Sequence, residues 1–383
     1  MDIKLKYLRR IILLGTKDMS KNNSNKKDKN KVKKEKISQS VADFIKENGE
    51  LLDYVDYFRK SYNQKKFVKV EKKGKLYKYL SETKIMIITA NEIEKTSLFA
   101  YAFKHNKTPF VQIGVENIVY TFFALGAMVV THVEINAGSN SHGGSSDVIK
   151  KIMRTAKPNI VILLGVAFGC NPSKTELGDV LVGRQHFSYD KSSKIAEGNL
   201  SIKNLHIEEP DEYMLNRFKA LIVTEDKIDG DFDKSFQVVF GNMITGEFVV
   251  DSIDFREMIF KPFEAFGVVG GEMEAQGAFG EIRKHKKSHC ILIKGICDWG
   301  AGKNEQIEDD NPKNKLQTYA ALNACKICYQ LLSERNFYSD CRVRGWIKRF
   351  YNSILGVGLK FGMIKLKHYI KFDSSELDYE QYK

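Results

Sequence analysis

The residues of this chain best placed to do chemistry are acids at the ends of apolar runs. Residues 291–301 read Ile-Leu-Ile-Lys-Gly-Ile-Cys-Asp-Trp-Gly-Ala, which delivers Asp298 to the end of a buried parallel strand. Ligands of an open α/β sheet sit outside the carboxyl ends of its strands. Residues 270–279, Gly-Gly-Glu-Met-Glu-Ala-Gln-Gly-Ala-Phe, place Glu272 and Glu274 where another apolar strand turns into a helix. A buried unpaired charge costs on the order of several kcal/mol, so core packing explains such acids poorly. A catalytic pocket explains them better. Glu94 lies just past a third apolar run, Ile85 to Ala90, in what reads as a first helical turn. By place alone it is an ordinary acid at a helix N-terminus.

The elements that must position these acids follow from hydrophobic periodicity. Apolar runs at 85–90, 129–136, 159–165, 178–183, 236–244, 266–270 and 290–296 read as strands. Helical patterns lie at 92–99, 147–155, 274–284 and 316–333. Continuous apolar strands alternating with helices predict an α/β domain with a largely buried central sheet flanked by helices. Between strand and helix, residues 137–146 are rich in Gly and Ser. Gly138, Ser139, Gly143, Gly144 and Ser145 form either a candidate phosphate loop or a tight turn.

The remaining composition bounds the function. At 383 residues and 43% apolar, the chain can bury a full core, and no apolar run is long enough to span a bilayer. The short Ile-Ile-Leu-Leu block near Met1 falls below a secretory signal, and six scattered cysteines suit a reducing cytoplasm. The charge of +13 gathers in Lys/Asn-rich and basic tails, which fits solvated tails better than a nucleic-acid surface. Four segments are expected: a basic disordered tail (1–37), a helical extension and linker (38–82), the catalytic domain (83–335) and a basic amphipathic extension (336–383). In the last, Trp346, Ile347, Phe350, Tyr351, Ile354 and Leu355 form an apolar stripe among Arg344, Lys348 and Arg349. That stripe fits an anionic membrane surface, a protein partner, or its own domain. The expected localisation is cytoplasmic, with a peripheral membrane position left open.

Four motifs in order carry a family resemblance. Residues 85–94 (Ile-Met-Ile-Ile-Thr-Ala-Asn-Glu-Ile-Glu), 163–169 (Leu-Leu-Gly-Val-Ala-Phe-Gly) with 177–182 (Leu-Gly-Asp-Val-Leu-Val), Gly271 to Ala275, and Lys294 to Trp299 resemble the nucleoside phosphorylase superfamily. That superfamily includes purine and uridine phosphorylases and methylthioadenosine/S-adenosylhomocysteine nucleosidases. The wording, including Thr-Gly-Glu-Phe-Val-Val-Asp-Ser at 245–252, is most similar to nucleosidase-like domains of signalling and defence proteins, some of which cleave adenine nucleotides. Val166 and Phe168 depart from the nucleosidase pattern.

The resemblance implies a single phosphorylase-like domain that cleaves the N-glycosidic bond of a purine nucleoside or nucleotide. It implies no cofactor and no metal, and a homo-oligomer as the usual assembly. Asp298 would protonate the leaving base, Glu94 would position the attacking water, and Glu274 would accept hydrogen bonds from the ribose hydroxyls. Met273 would form a wall against the sugar, with Glu272, Val250, Ala167, Gly169 and Trp299 completing the pocket. Phosphorylases hold phosphate through arginines, one of them beside the central glycine turn, where this chain has Leu163 and Leu164. Hydrolysis is therefore expected, with Lys95 and Arg184 the residues through which phosphorolysis would survive. A third reading is a non-catalytic nucleotide sensor that recruits a partner. The pair Cys325 and Cys328 lies inside a helix without zinc-ligand spacing, so it reads as core.

Overall fold

The computed structural model describes residues 67–69, 83–106, 110–126, 128–140, 142–196, 199–222, 236–301 and 312–334, with Val55 and Leu80. The expected tail at 1–37, most of the extension at 38–82 and the whole stripe at 336–383 lie outside the described residues.

Thirteen strands and seven helices are described: β1 (Phe67–Lys69), β2 (Ile85–Thr89), α1 (Glu92–Asn106), β3 (Phe110–Val115), β4 (Ile118–Leu125), β5 (Met128–Glu134), α2 (Ser145–Thr155), β6 (Ile160–Gly169), β7 (Val180–Ser188), α3 (Tyr189–Ser192), β8 (Ser193–Ala196), β9 (Asn199–Ile202), β10 (Ile207–Glu208), α4 (Glu212–Ile222), β11 (Val238–Thr245), α5 (Ile253–Phe260), β12 (Val268–Glu272), α6 (Ala275–Ile282), β13 (His289–Asp298) and α7 (Pro312–Ser333). The large mixed sheet has the order β1-β3-β4-β5-β2-β6-β12-β11-β7-β10, and β13 pairs with both β6 and β7. Strands β6, β12, β11, β7 and β13 thus close into a ring. The strand β2 runs parallel to β6, and β6 runs parallel to β13, so all three deliver their carboxyl ends to one side.

Alternation explains why the central strands are apolar throughout. Ile85, Ile87, Ile160, Ile162, Ile291 and Ile293 enter one buried cluster. Met86, Ile88, Val161, Leu163, Cys290 and Leu292 enter another. A strand covered on both faces needs apolar residues at every position. The helix α7 packs on β13, β6 and α1, while α6 packs on α2.

Before residue 83 the described residues are few. Strand β1 adds to the sheet edge beside β3, and Val55 and Leu80 are both fully buried in core clusters. The hairpin β3–β4 was not read from the apolar runs, although β4 is apolar at nearly every position. Its turn carries Glu116 and Asn117 at φ 50° and 64°, the paired positive values of a two-residue hairpin.

Two histidines sit in the core as neutral rings. His132 shares a hydrogen bond with the Thr89 hydroxyl at 2.9 Å, and His186 has no hydrogen-bond partner at either ring nitrogen. Burial pushes each down to about 3 from an ordinary 6.5. The unfolded chain therefore takes up protons below pH 6.5 that the folded chain refuses, and stability is lost as pH falls. Each histidine is expected to remove about 2 kcal/mol between pH 7 and pH 5. Chemical denaturation of His186→Leu at the two pH values should show that loss reduced by about one such increment. An unchanged pH dependence would contradict the assignment.

Candidate active site

The turn after β2 starts the site. Asn91 caps α1 by accepting a hydrogen bond from the Glu94 amide at 2.9 Å, and this fixes Glu94 in the first helical turn. The Glu94 side chain points away from solvent and is 2% exposed. Its Oε2 accepts from the Ala90 amide at 2.6 Å and its Oε1 from the Val166 amide at 2.8 Å. The carboxylate occupies the space in front of Gly165, where any Cβ would overlap it. Gly165 is therefore required by close approach. The segment 163–169, expected as a glycine turn, runs within strand β6 instead. Pairing to β13 along 163–168 and to β12 at Phe168 and Gly169 keeps it extended.

Opposite Gly165 in the parallel register stands Lys294 of β13. It is 1% exposed, and its Nζ lies 3.0 Å from Glu274 Oε2 and 3.6 Å from Glu94 Oε1. The strand β12 runs antiparallel to the end of β6, pairing Gly271 with Phe168, and so returns Glu272 to Glu274 toward this point. One ammonium thus bridges carboxylates from two distant parts of the chain. Burial pulls Lys294 down, but Glu274, Glu94 and Glu272 outweigh it and hold the ammonium above its ordinary value. Burial likewise pushes Glu94 above the usual carboxylate range, opposed by Lys294 and aided by Glu274.

Glu272 has a different setting from the one expected of a pocket residue. Its Oε2 accepts from the Glu274 amide at 2.8 Å, and both its oxygens accept from the Ala275 amide at 3.0–3.2 Å. It caps the start of α6, where a carboxylate satisfies exposed amides and meets the helix dipole. Burial, with Glu274 adding, pushes it up to about 7.

Asp298 ends β13 half-buried. Its Oδ1 accepts from the Gly300 amide at 2.7 Å, and the Cys297 thiol approaches Oδ2 at 3.1 Å. Trp299, Ala167 and Ile296 are buried in one cluster, and the Trp299 indole lies against Gly169. Val250 is buried beside Phe168, whose ring fills the space left by Gly271 and Gly300. Met273 is half-buried. The structure thus brings Glu94, Glu274 and Lys294 into one cluster and sets Asp298 four residues farther along the same strand.

The candidate phosphate loop is engaged within the protein. The amides of Ser139 and Asn140 and the Asn140 side chain all donate to Glu247 Oε1, at 3.1, 2.9 and 2.6 Å. Ser139 Oγ donates to the Met273 carbonyl and accepts from the Gly277 amide, and Ser145 Oγ donates to the Glu274 carbonyl. Gly143 accepts from the Asn136 amide, and Gly138 accepts from the Ser145 amide. Gly144 caps α2. A carboxylate of the chain itself fills the place of an anion, so the loop serves as a brace for residues 273–277.

Lys294 escaped the sequence reading. A single lysine inside an apolar strand gives no hint of its partners, which lie 20 and 200 positions away. The usable signal was its place four residues before Asp298 in a strand otherwise buried on both faces.

No family model matches the chain. Over 179 residues it is 25% identical to a death domain-containing ATP nucleosidase of Amphimedon queenslandica, covering 43% of this chain and 33% of that protein. The chain thus matches about a third of that relative's length. Solved structures of the same shape include futalosine hydrolase of Helicobacter pylori, with TM-score 0.52, 15% identity, and 65% and 97% of the two chains covered. Another is the methylthioadenosine/S-adenosylhomocysteine nucleosidase of Neisseria meningitidis, with TM-score 0.51, 18% identity, and 66% and 99% covered. The fold is that of the nucleoside phosphorylases and nucleosidases. Within this nucleosidase-like fold, the ring of five strands and the acids at its edge account for the motifs read from sequence. Among the described residues, no group of three or more His, Cys, Asp or Glu is placed to hold a metal ion, and no helix is long and apolar enough to cross a membrane.

Removing Lys294 tests the cluster. Lys294→Met leaves Glu94 and Glu274 without their buried cation, and breaking a buried pair costs about 3–5 kcal/mol. Thermal unfolding should show a large fall in midpoint for Lys294→Met and a smaller one for Lys294→Arg. Equal stability of Lys294→Met and wild type would contradict the cluster.

Proposed function

We propose that the chain is an N-ribosyl hydrolase that releases the base from a purine nucleoside or nucleotide, with an adenine nucleotide as the favoured substrate. The observation that carries this reading is the buried Glu94–Lys294–Glu274 cluster, whose lysine stands on the strand that ends in Asp298. The similarity to a protein named as an ATP nucleosidase supports the choice of adenine nucleotides.

The chemistry assigns each group a part. The bond between ribose C1′ and purine N9 breaks, and its electron pair leaves with the base. Asp298 donates its proton to N7, so the base departs neutral. Positive charge that builds on the sugar ring meets the carboxylates of Glu94 and Glu274. Glu274 accepts hydrogen bonds from the ribose hydroxyls, with Lys294 fixing the carboxylate from behind. Water attacks C1′ and passes its proton to Glu94. The products are free base and a ribose carrying a hydroxyl at C1′.

Phosphate is a poor alternative to water here. Lys95 is paired with Glu92 and Glu134, and Arg184 lines a surface hollow with Gln185, Glu209 and Lys219, away from the carboxylate cluster. A phosphate dianion approaching C1′ would face Glu94 at close range in a site of low polarity.

Asp298→Asn tests the assignment. General acid catalysis contributes about 10²–10⁴-fold, and base release followed by chromatography should fall by that factor with the melting temperature preserved. Near-wild-type turnover would show that Asp298 is not the acid. The pH profile gives a second check. Glu94 must be ionised to accept a proton, and its raised proton affinity moves the acid limb of kcat/KM above the roughly 4.3 of a free glutamate. Glu94→Gln should lower kcat by about 10²–10⁴-fold at the optimum.

A further inference from the structure

Arg256 lies in α5, close behind Ser252, which caps that helix by accepting from the Phe255 amide. The sequence reading assigned it nothing, yet its side chain is only 6% exposed. The ion pair described for it, with Glu257, is long at 4.0 Å, and Glu257 is 60% exposed. Such a contact offsets little of the cost of burying a guanidinium. Its strong contact is elsewhere: Nη1 donates to the Trp299 carbonyl at 2.6 Å.

That carbonyl belongs to the same peptide unit as the Gly300 amide, which donates to Asp298 Oδ1 at 2.7 Å. In a trans peptide the C=O and N–H point in opposite directions, and no cis peptide occurs among the described residues. One rigid plane therefore joins a buried cation at its oxygen to the carboxylate at its N–H. Two hydrogen bonds prevent the plane from rotating, and a cation at the oxygen strengthens the N–H as a donor. The surroundings confirm that this peptide is held. Gly300 has φ +66°, and a Cβ there would crowd Phe168, Val250 and the Arg256 side chain. The arrangement also ties Asp298 to residues 245–252, because α5 begins directly after Val250 to Ser252.

We propose that Arg256 is a positioning residue for Asp298, acting through the Trp299–Gly300 peptide. The inference rests on the reading of Asp298 as the general acid. Arg256 holds the carboxyl group at the angle from which it protonates the base, and contributes nothing to binding the sugar.

The test uses the full chain and adenine release from ATP or 5′-methylthioadenosine, whichever the wild type turns over faster. Arg256→Met should lower kcat by about 10–100-fold, the size of effect expected when a reacting group is misplaced, with KM within about twofold. Added guanidinium should restore part of kcat. In the Asp298→Asn background, Arg256→Met should cause almost no further loss, because the two act as one unit. Wild-type kcat in Arg256→Met beside an inactive Asp298→Asn would overturn the role of Arg256 and leave the acid assignment standing. Full activity in Asp298→Asn would overturn the acid assignment itself. If Arg256→Met fails to fold, Arg256→Gln decides: it keeps a polar group but loses both the charge and the reach to the Trp299 carbonyl, and a kcat equal to wild type would refute the proposal.

Discussion

Everything at this site depends on one buried ammonium. Lys294 stands among Glu94, Glu272 and Glu274 in a position almost without solvent, and its charge makes that concentration of acids tolerable. Three carboxylates facing one cation leave an excess of negative charge. Burial resolves part of it by raising proton affinity, with Glu272 near 7 and Glu94 above its usual range. On the proposed reaction the remainder is useful, because the positive charge of an oxocarbenium-like sugar appears only as the bond breaks.

The fold is arranged around that constraint. Strands β2, β6 and β13 run parallel, so the turn after β2, Gly165 in the middle of β6 and Lys294 of β13 lie side by side, and Asp298 follows beside the end of β6. Gly165 leaves room for the Glu94 carboxylate, and β12 turns back to bring Glu274 to the same place. The serine-rich loop at 137–146, held by Glu247, braces the segment 273–277 from the other side. Asp298, Lys294 and the carboxylates are thus carried on paired strands and braced loops, which limits their drift.

Much of this was legible in sequence because apolar runs and acids at their ends are local patterns. Asp298 and Glu274 stood out by residue type and place, whereas Glu94, an ordinary acid for a first helical turn, stood out only through the family resemblance. Lys294 did not, since its meaning lies in partners reached only through the sheet register. Arg256 was hidden for a similar reason: α5 is short, and its link to Asp298 passes through a backbone peptide that no side-chain pattern reveals. Glu272 was legible as an acid at a strand end but not as a helix cap, because its oxygens meet amides only two and three residues ahead. The glycines at 138, 143 and 144 looked able to cradle phosphate. What sequence could not show was Glu247, more than a hundred residues away, already bound to that loop's amides.

In the proposed reaction, water activated beside Glu94 attacks C1′ of a purine riboside. Turnover of ATP and 5′-methylthioadenosine in ¹⁸O-labelled water containing phosphate, followed by mass spectrometry of the sugar, tests it directly. The account predicts free adenine and a sugar carrying one labelled oxygen at C1′, at a rate independent of phosphate. A ribose 1-phosphate product without label at C1′ would contradict it.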